Sequence, residues 1–145
     1  MSTNKLDQLY RSVIMEHYKH PKNKGVLENG NVTIDMNNPT CGDVIRLTMN
    51  VEDDIVKDVK FEGEGCSISM ASASMMTQMI KGETTERALQ LAHTFSDMML
   101  GKDIDESIDL DDLEALSGVA QFPARIKCAT LSWKAMEKGV SGESQ

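Results

Sequence analysis

Val32-Thr-Ile34-Asp-Met36 and Ile45-Arg-Leu47-Thr-Met49-Asn-Val51 are two runs in which apolar side chains recur with a period of two, and Ile55, Val59 and Phe61 close a third extended run. That period places the apolar set on one face of an extended chain, so each run reads as a half-buried strand. Asp53 and Asp54 sit between the second and third runs like a hairpin turn. The first and second runs are joined by Asn37-Asn-Pro39-Thr-Cys41-Gly42-Asp43, whose proline and glycine make a turn-rich connection at one edge of the sheet. Cys41 and Asp43 lie in that connection.

The periodicity changes on both sides of the strands. Upstream, Leu6, Leu9, Tyr10, Val13, Ile14 and His17 recur at three-to-four spacing, an amphipathic helix with Asn4 as its cap and Pro21 as its stop. Downstream, Gly63-Glu-Gly65 leads into a small- and Met-rich helix from Cys66 to Ile80 that stops at Gly82, with Cys66 in its first turn. Thr84 and Thr85 cap a helix running toward His93, and Ser96 opens another short one through Leu100. An acidic stretch, Asp103 to Glu114, leads to Gly118. Pro123 then stands near the start of a last helix, Ala124 to about Lys138, with Cys128 in its early turns. The tail, residues 139–145, is small and polar and is expected to fray. No internal repeat is visible, and a chain of 145 residues is expected to form one domain over residues 1–145.

Composition narrows the function classes. Apolar residues make up 40% and glycine adds 10 residues, the proportion of a folded globular chain. Lys plus Arg number 15 against 23 Asp plus Glu, and a net charge of -8 repels phosphate backbones, so no nucleic-acid partner is expected. The longest uncharged run, Gly65 to Ile80, is shorter than the ~20 residues a bilayer needs, so no membrane span is expected. Lys5, Asp7, Arg11 and Glu16 interrupt the N-terminal segment and leave no secretory core, which points to the cytoplasm. Three cysteines, with no two close in sequence, fit neither a disulfide framework nor a C-x-x-C redox pair.

Each cysteine has its own chemical argument. Cys41 and Asp43 are two apart on a loop that can curl, and both residue types bind zinc once ionised. Cys66 at a helix N-terminus faces unpaired backbone N–H groups and the positive end of the helix dipole, which favours its thiolate. Cys128 has Arg125 one turn before it and Lys127 beside it, two cations that act in the same sense. The spacing matches no zinc-finger pattern, so on spacing alone a shared metal site and buried or unrelated cysteines both remain open. The acidic stretch counts oxygens from Asp103 at the positions of an EF-hand calcium loop, but Ile108 stands where that loop needs glycine, and a solvated, helix-capping face is the better reading. His17 and His20 read as a polar helix end, and Met70, Met75, Met76 and Met79 as a core helix.

Three longer segments carry a resemblance. Asn37-Asn-Pro-Thr-Cys41-Gly-Asp43, Phe61-Glu-Gly-Glu-Gly-Cys66-Ser-Ile-Ser69 and Arg125-Ile-Lys-Cys128-Ala129 resemble the three cysteine motifs of the NifU-like, IscU-type iron–sulfur assembly proteins, most closely the SufU branch. The similarity begins at Leu6-Asp-Gln-Leu-Tyr10, continues through His17-Tyr-Lys-His-Pro21-Lys-Asn-Lys-Gly25 and reaches Ser132-Trp-Lys134. It implies an α+β, IscU/NifU-N-like fold with a three-stranded antiparallel sheet packed against several helices, and a surface site of Cys41, Asp43, Cys66 and Cys128. IscU-type scaffolds carry a histidine where this chain has Lys127, and a Leu-Pro-Pro-Val-Lys segment where it reads Phe122-Pro-Ala-Arg-Ile126. The SufU branch shares both departures and the extra segment around Asp103 to Gln121.

For that branch the resemblance implies a zinc-dependent sulfurtransferase. It would accept persulfide sulfur from a SufS-type cysteine desulfurase and pass it to a downstream iron–sulfur assembly scaffold. The alternative is an IscU-type scaffold on which a 2Fe–2S cluster is assembled. Three thiolates with one carboxylate lean toward zinc, because clusters are held mainly by four thiolates, sometimes with histidine. Cys41 is the expected sulfur carrier: it sits between Pro39 and Gly42 in a loop and can swing out at low cost, whereas Cys66 and Cys128 are tied to helices. The desulfurase is expected to supply a donor, such as histidine, to the position Cys41 vacates. A calcium-responsive interaction module rests only on the defective acidic loop.

Overall fold

The three runs form strands β1 (Val32–Asn38), β2 (Asp43–Glu52) and β3 (Ile55–Glu64), antiparallel and in the order β1-β2-β3. This computed structural model describes residues 2–39, 42–105 and 107–141, the side chains of residues 2–7 excepted. Around the sheet lie helices α1 (Ser2–Lys19), α2 (Ser67–Ile80), α3 (Thr85–Met99) and α4 (Pro123–Val140), with a 3₁₀ helix at Asp111–Gln121. The fold is α+β, with a three-stranded antiparallel sheet against several helices.

The register explains the core. Leu47 pairs with Ile34 on one side and Phe61 on the other, and all three are buried on the helix-facing side with Ile45, Met49 and Val59. Each such side chain contributes roughly 1.5–3 kcal/mol when fully buried. On the opposite face Arg46 pairs with Asp35 and its guanidinium donates to that carboxylate at 2.8 Å. Glu52 pairs with Ile55, so Asp53 and Asp54 alone make the turn, with φ of 53° and 60°. Two consecutive left-handed residues are the signature of a type I′ hairpin turn, whose twist matches that of the strands.

The Met-rich segment is core: Met70, Ala71, Ala73, Met75 and Met76 are buried, and α2 lies against α4, where the Ser72 hydroxyl donates to the Ala129 carbonyl. Trp133 of α4 packs on Phe95 of α3 with ring centroids 5.4 Å apart.

Three helix boundaries differ from the sequence reading. α1 begins at Ser2, so Asn4 lies inside it rather than capping it. Thr84 caps α3 by accepting the Arg87 N–H, but the helix then runs unbroken to Met99, because Leu91, Ala92, Phe95 and Met99 continue one buried stripe past Ser96. α4 passes through Gly139 to Val140 instead of fraying from 139. Gly139 is buried where the helix crosses β1, and a Cβ there would lie 2.9 Å from Val32 Cγ1, so the missing side chain is what lets the helix approach. Residues 142–145 of the expected tail lie outside the described residues. In the acidic stretch, the Asp105 and Asp109 carboxylates accept the N–H groups of Ser107 and Asp111 two residues on. The Ser107 hydroxyl and N–H hold the Asp105 carboxyl below its ordinary range, whereas burial and then Asp109 push that of Asp111 up.

Candidate metal centre

Antiparallel pairing places the start of β2 beside the end of β3, with Val44 opposite Glu64. The next residues of β3, Gly65 and Cys66, therefore come alongside Asp43. Cys66 is the N-cap of α2, one position earlier than its sequence suggested, in extended backbone (φ −71°, ψ 167°). Its sulfur accepts the Ser69 N–H at 3.4 Å, while its own N–H donates to Asp43 Oδ1 at 2.9 Å. Cys128 reaches the same place from α4, which packs on β1, β2 and α2. It is buried, and its thiol donates weakly to the Ala124 carbonyl at 3.8 Å. Arg125 and Lys127 are exposed.

The ligand atoms of Asp43, Cys66 and Cys128 all lie within 4.8 Å of one another. In a tetrahedral site with bonds of about 2.0–2.3 Å the ligand atoms stand roughly 3.3–3.8 Å apart, so small side-chain rotations would close these three on an ion. Asp43 is fully buried, and its Oδ2 has no hydrogen-bond partner among the described residues. A carboxylate oxygen withdrawn from water with neither donor nor cation is costly, and a metal ion would satisfy it. Cys41 lies outside the described residues. Beside it in sequence, the Gly42 N–H donates to the Asn38 carbonyl at 2.8 Å, with Gly42 at φ 75°.

His17, expected with His20 as a polar helix end, is instead buried. Its ring is 4% exposed, with Nδ1 2.7 Å from Ser74 Oγ and Nε2 2.8 Å from Asp112 Oδ2. The Asp112 carboxylate can only accept, so Nε2–H donates to it, while Ser74 Oγ, which also accepts the Lys22 N–H at 2.8 Å, shares a hydrogen bond with Nδ1. Ser74 is fully buried and cannot meet a substrate, so this serine, histidine and aspartate form a structural strap from α1 to α2 and the 3₁₀ helix. The available signal was His17's place on the apolar stripe of α1, a position where a polar ring needs buried partners. His20 is exposed.

The NifU-like N-terminal domain model matches residues 9–129. The chain belongs to this NifU-like family. The zinc-dependent sulfurtransferase SufU of Bacillus subtilis is 71% identical over 138 residues, covering 95% of this chain and 93% of that relative. The iron–sulfur cluster assembly scaffold protein IscU of Streptococcus pyogenes serotype M1 is 45% identical over 140 residues, covering 97% of this chain and 87% of that protein. A solved structure of a putative iron–sulfur cluster assembly scaffold protein for the SUF system, from Fervidobacterium islandicum, superposes with a TM-score of 0.84 at 37% identity, covering 88% of this chain and 93% of that one. In this NifU-like domain the three described ligand candidates come from the start of the central strand and two helix starts, so the fold itself assembles them. No helix among the described residues is long and apolar enough to cross a membrane.

Proposed function

We propose that the protein is a zinc-dependent sulfurtransferase of iron–sulfur cluster assembly, which takes sulfane sulfur from a SufS-type cysteine desulfurase and passes it to a downstream assembly scaffold in the cytoplasm. The observation that carries this reading is the buried Asp43 Oδ2, without a hydrogen-bond partner among the described residues, in a carboxylate that shares a 4.8 Å cluster with the sulfurs of Cys66 and Cys128. Two sulfurs and a carboxylate oxygen fit zinc, which accepts mixed thiolate and carboxylate ligands without redox change. Cys41, Asp43, Cys66 and Cys128 are the proposed ligands, and the 71% identity to the B. subtilis sulfurtransferase supports the assignment. When bound, zinc supplies a charge that keeps the thiols ionised.

Cys41 is the proposed catalytic residue. Its thiolate attacks the outer sulfur of the persulfide on the desulfurase cysteine. A new S–S bond forms to Cys41 as the old one breaks, and its electron pair leaves on the desulfurase as a thiolate, so no external oxidant or reductant is needed. Cys66 caps α2 and Cys128 lies within α4, so either would have to disturb a packed helix to leave the site, which favours Cys41 as the carrier.

The second reading, a scaffold that assembles a 2Fe–2S cluster, is favoured by the 45%-identical S. pyogenes relative, which is named as one. Metal analysis with an absorption spectrum separates the two. Protein purified without added metal is expected to carry about one zinc per chain, the closed four-ligand stoichiometry, with no visible cluster band. A brown protein retaining iron and sulfide through anaerobic purification would reverse the order.

A further inference from the structure

Gly65, between β3 and the Cys66 cap, has no space for a side chain. A Cβ at this position would stand 2.4 Å from Asp43 Oδ1, 2.9 Å from its Cγ and 3.2 Å from its Cβ. Its backbone is not in the left-handed region, unlike that of Gly63 at φ 148°, so space and not conformation excludes a side chain at 65. The obstruction is a short, fully buried carboxylate at the first residue of a strand, which cannot yield as the end of a flexible chain would.

We infer that Gly65 is a positioning residue for the metal centre: its bare backbone lets the Asp43 carboxylate lie against the Gly65–Cys66 segment, with Oδ1 tied to the Cys66 N–H and Oδ2 left as the uncommitted ligand atom. This deepens the zinc reading and rests on it. Two oxygens of one carboxylate are thereby given different tasks, which makes Asp43 a one-oxygen ligand. Cys66 serves the same centre twice, its sulfur as a ligand candidate and its N–H as the anchor of the neighbouring one. A methyl group at 65 would rotate the carboxylate away, breaking the 2.9 Å bond to Cys66 and withdrawing Oδ2 from the sulfurs together.

The test compares wild type, Gly65→Ala, Asp43→Ala and the double variant by zinc competition against a chelator, with exchange of the Cys66 amide measured by NMR in the metal-free proteins. Gly65→Ala is expected to weaken zinc binding about 10–100-fold, the usual cost of disturbing a group that orients a ligand. Asp43→Ala should lose a similar amount, and the double variant no more than Asp43→Ala alone, because the methyl then has no carboxylate to displace. The Cys66 amide should exchange faster in Gly65→Ala than in wild type without any metal present. Wild-type affinity and Cys66 protection in Gly65→Ala would overturn the inference, as would losses that add in full in the double variant. If wild type retains no zinc, the zinc reading falls, and the Cys66 amide still decides whether Gly65 positions Asp43. Should Gly65→Ala not fold, adding Asp43→Gly removes the three nearest atoms the methyl meets and is expected to restore folding. Failure to restore it would also overturn the inference.

Discussion

Cys66 shows how much one residue can carry at a helix start. N-caps are usually Ser, Thr, Asp or Asn, whose oxygens accept the free N–H groups of the first turn. Here sulfur does so, at 3.4 Å from the Ser69 nitrogen, and the residue's own N–H is spent on Asp43. Asp43, Cys66 and Cys128 were legible because each sits in a distinctive local string, whereas His17 was not, since its partners lie 57 and 95 residues away. The functional test at this scale concerns Cys41. Cys41→Ala is expected to bind the desulfurase but fail to stimulate its turnover. Mass spectrometry of wild type incubated with desulfurase and cysteine is expected to find the added sulfur on Cys41. Sulfur on Cys66 or Cys128, with Cys41→Ala still active, would remove Cys41 from the catalytic role.

Elements were recognised more securely than their ends. Alternation identified the first two strands and an extended apolar run the third, with Asp53-Asp54 as the turn between the second and third, because a register slip would expose the whole apolar face. The unbroken α3 was harder to read, since Ser96 resembles a cap in sequence and only the buried stripe on both sides of it shows that the helix continues. The 3₁₀ helix is held to the rest partly through Asp112, which bonds His17, and His17 in turn reaches Ser74 of α2. His17→Ala is therefore expected to destabilise the protein by about 1–3 kcal/mol, the cost of opening buried hydrogen bonds. The exposed His20→Ala should change stability by less than about 0.5 kcal/mol. Urea unfolding checks both: the midpoint should fall for His17→Ala alone, with the slope unchanged.

At the scale of the whole molecule, the candidate centre joins the start of the central strand, a helix cap and a second helix drawn from distant parts of the chain. An ion held there binds the folded protein and not the separated segments, so its affinity adds to folding stability. At free zinc about 100-fold above Kd the gain is about 2.7 kcal/mol. Stripping the metal with a chelator is expected to lower Tm by roughly 5–15 °C, and restoring zinc should recover it; an unchanged Tm would mean that no ion bridges these elements. The sequence by itself determined the three strands, the helices α1, α2 and α4, the family and the candidate ligands, because alternation, glycine and proline punctuation and short motifs are properties of neighbouring residues. Only the tertiary structure decided that Asp43 is buried with one oxygen uncommitted, that Gly65 must be bare, that Gly139 lies under the sheet rather than in a loose tail, and that His17 is a strap. Each of these depends on which distant atoms share a few ångströms of space, and close packing fixes that only when the whole chain is folded.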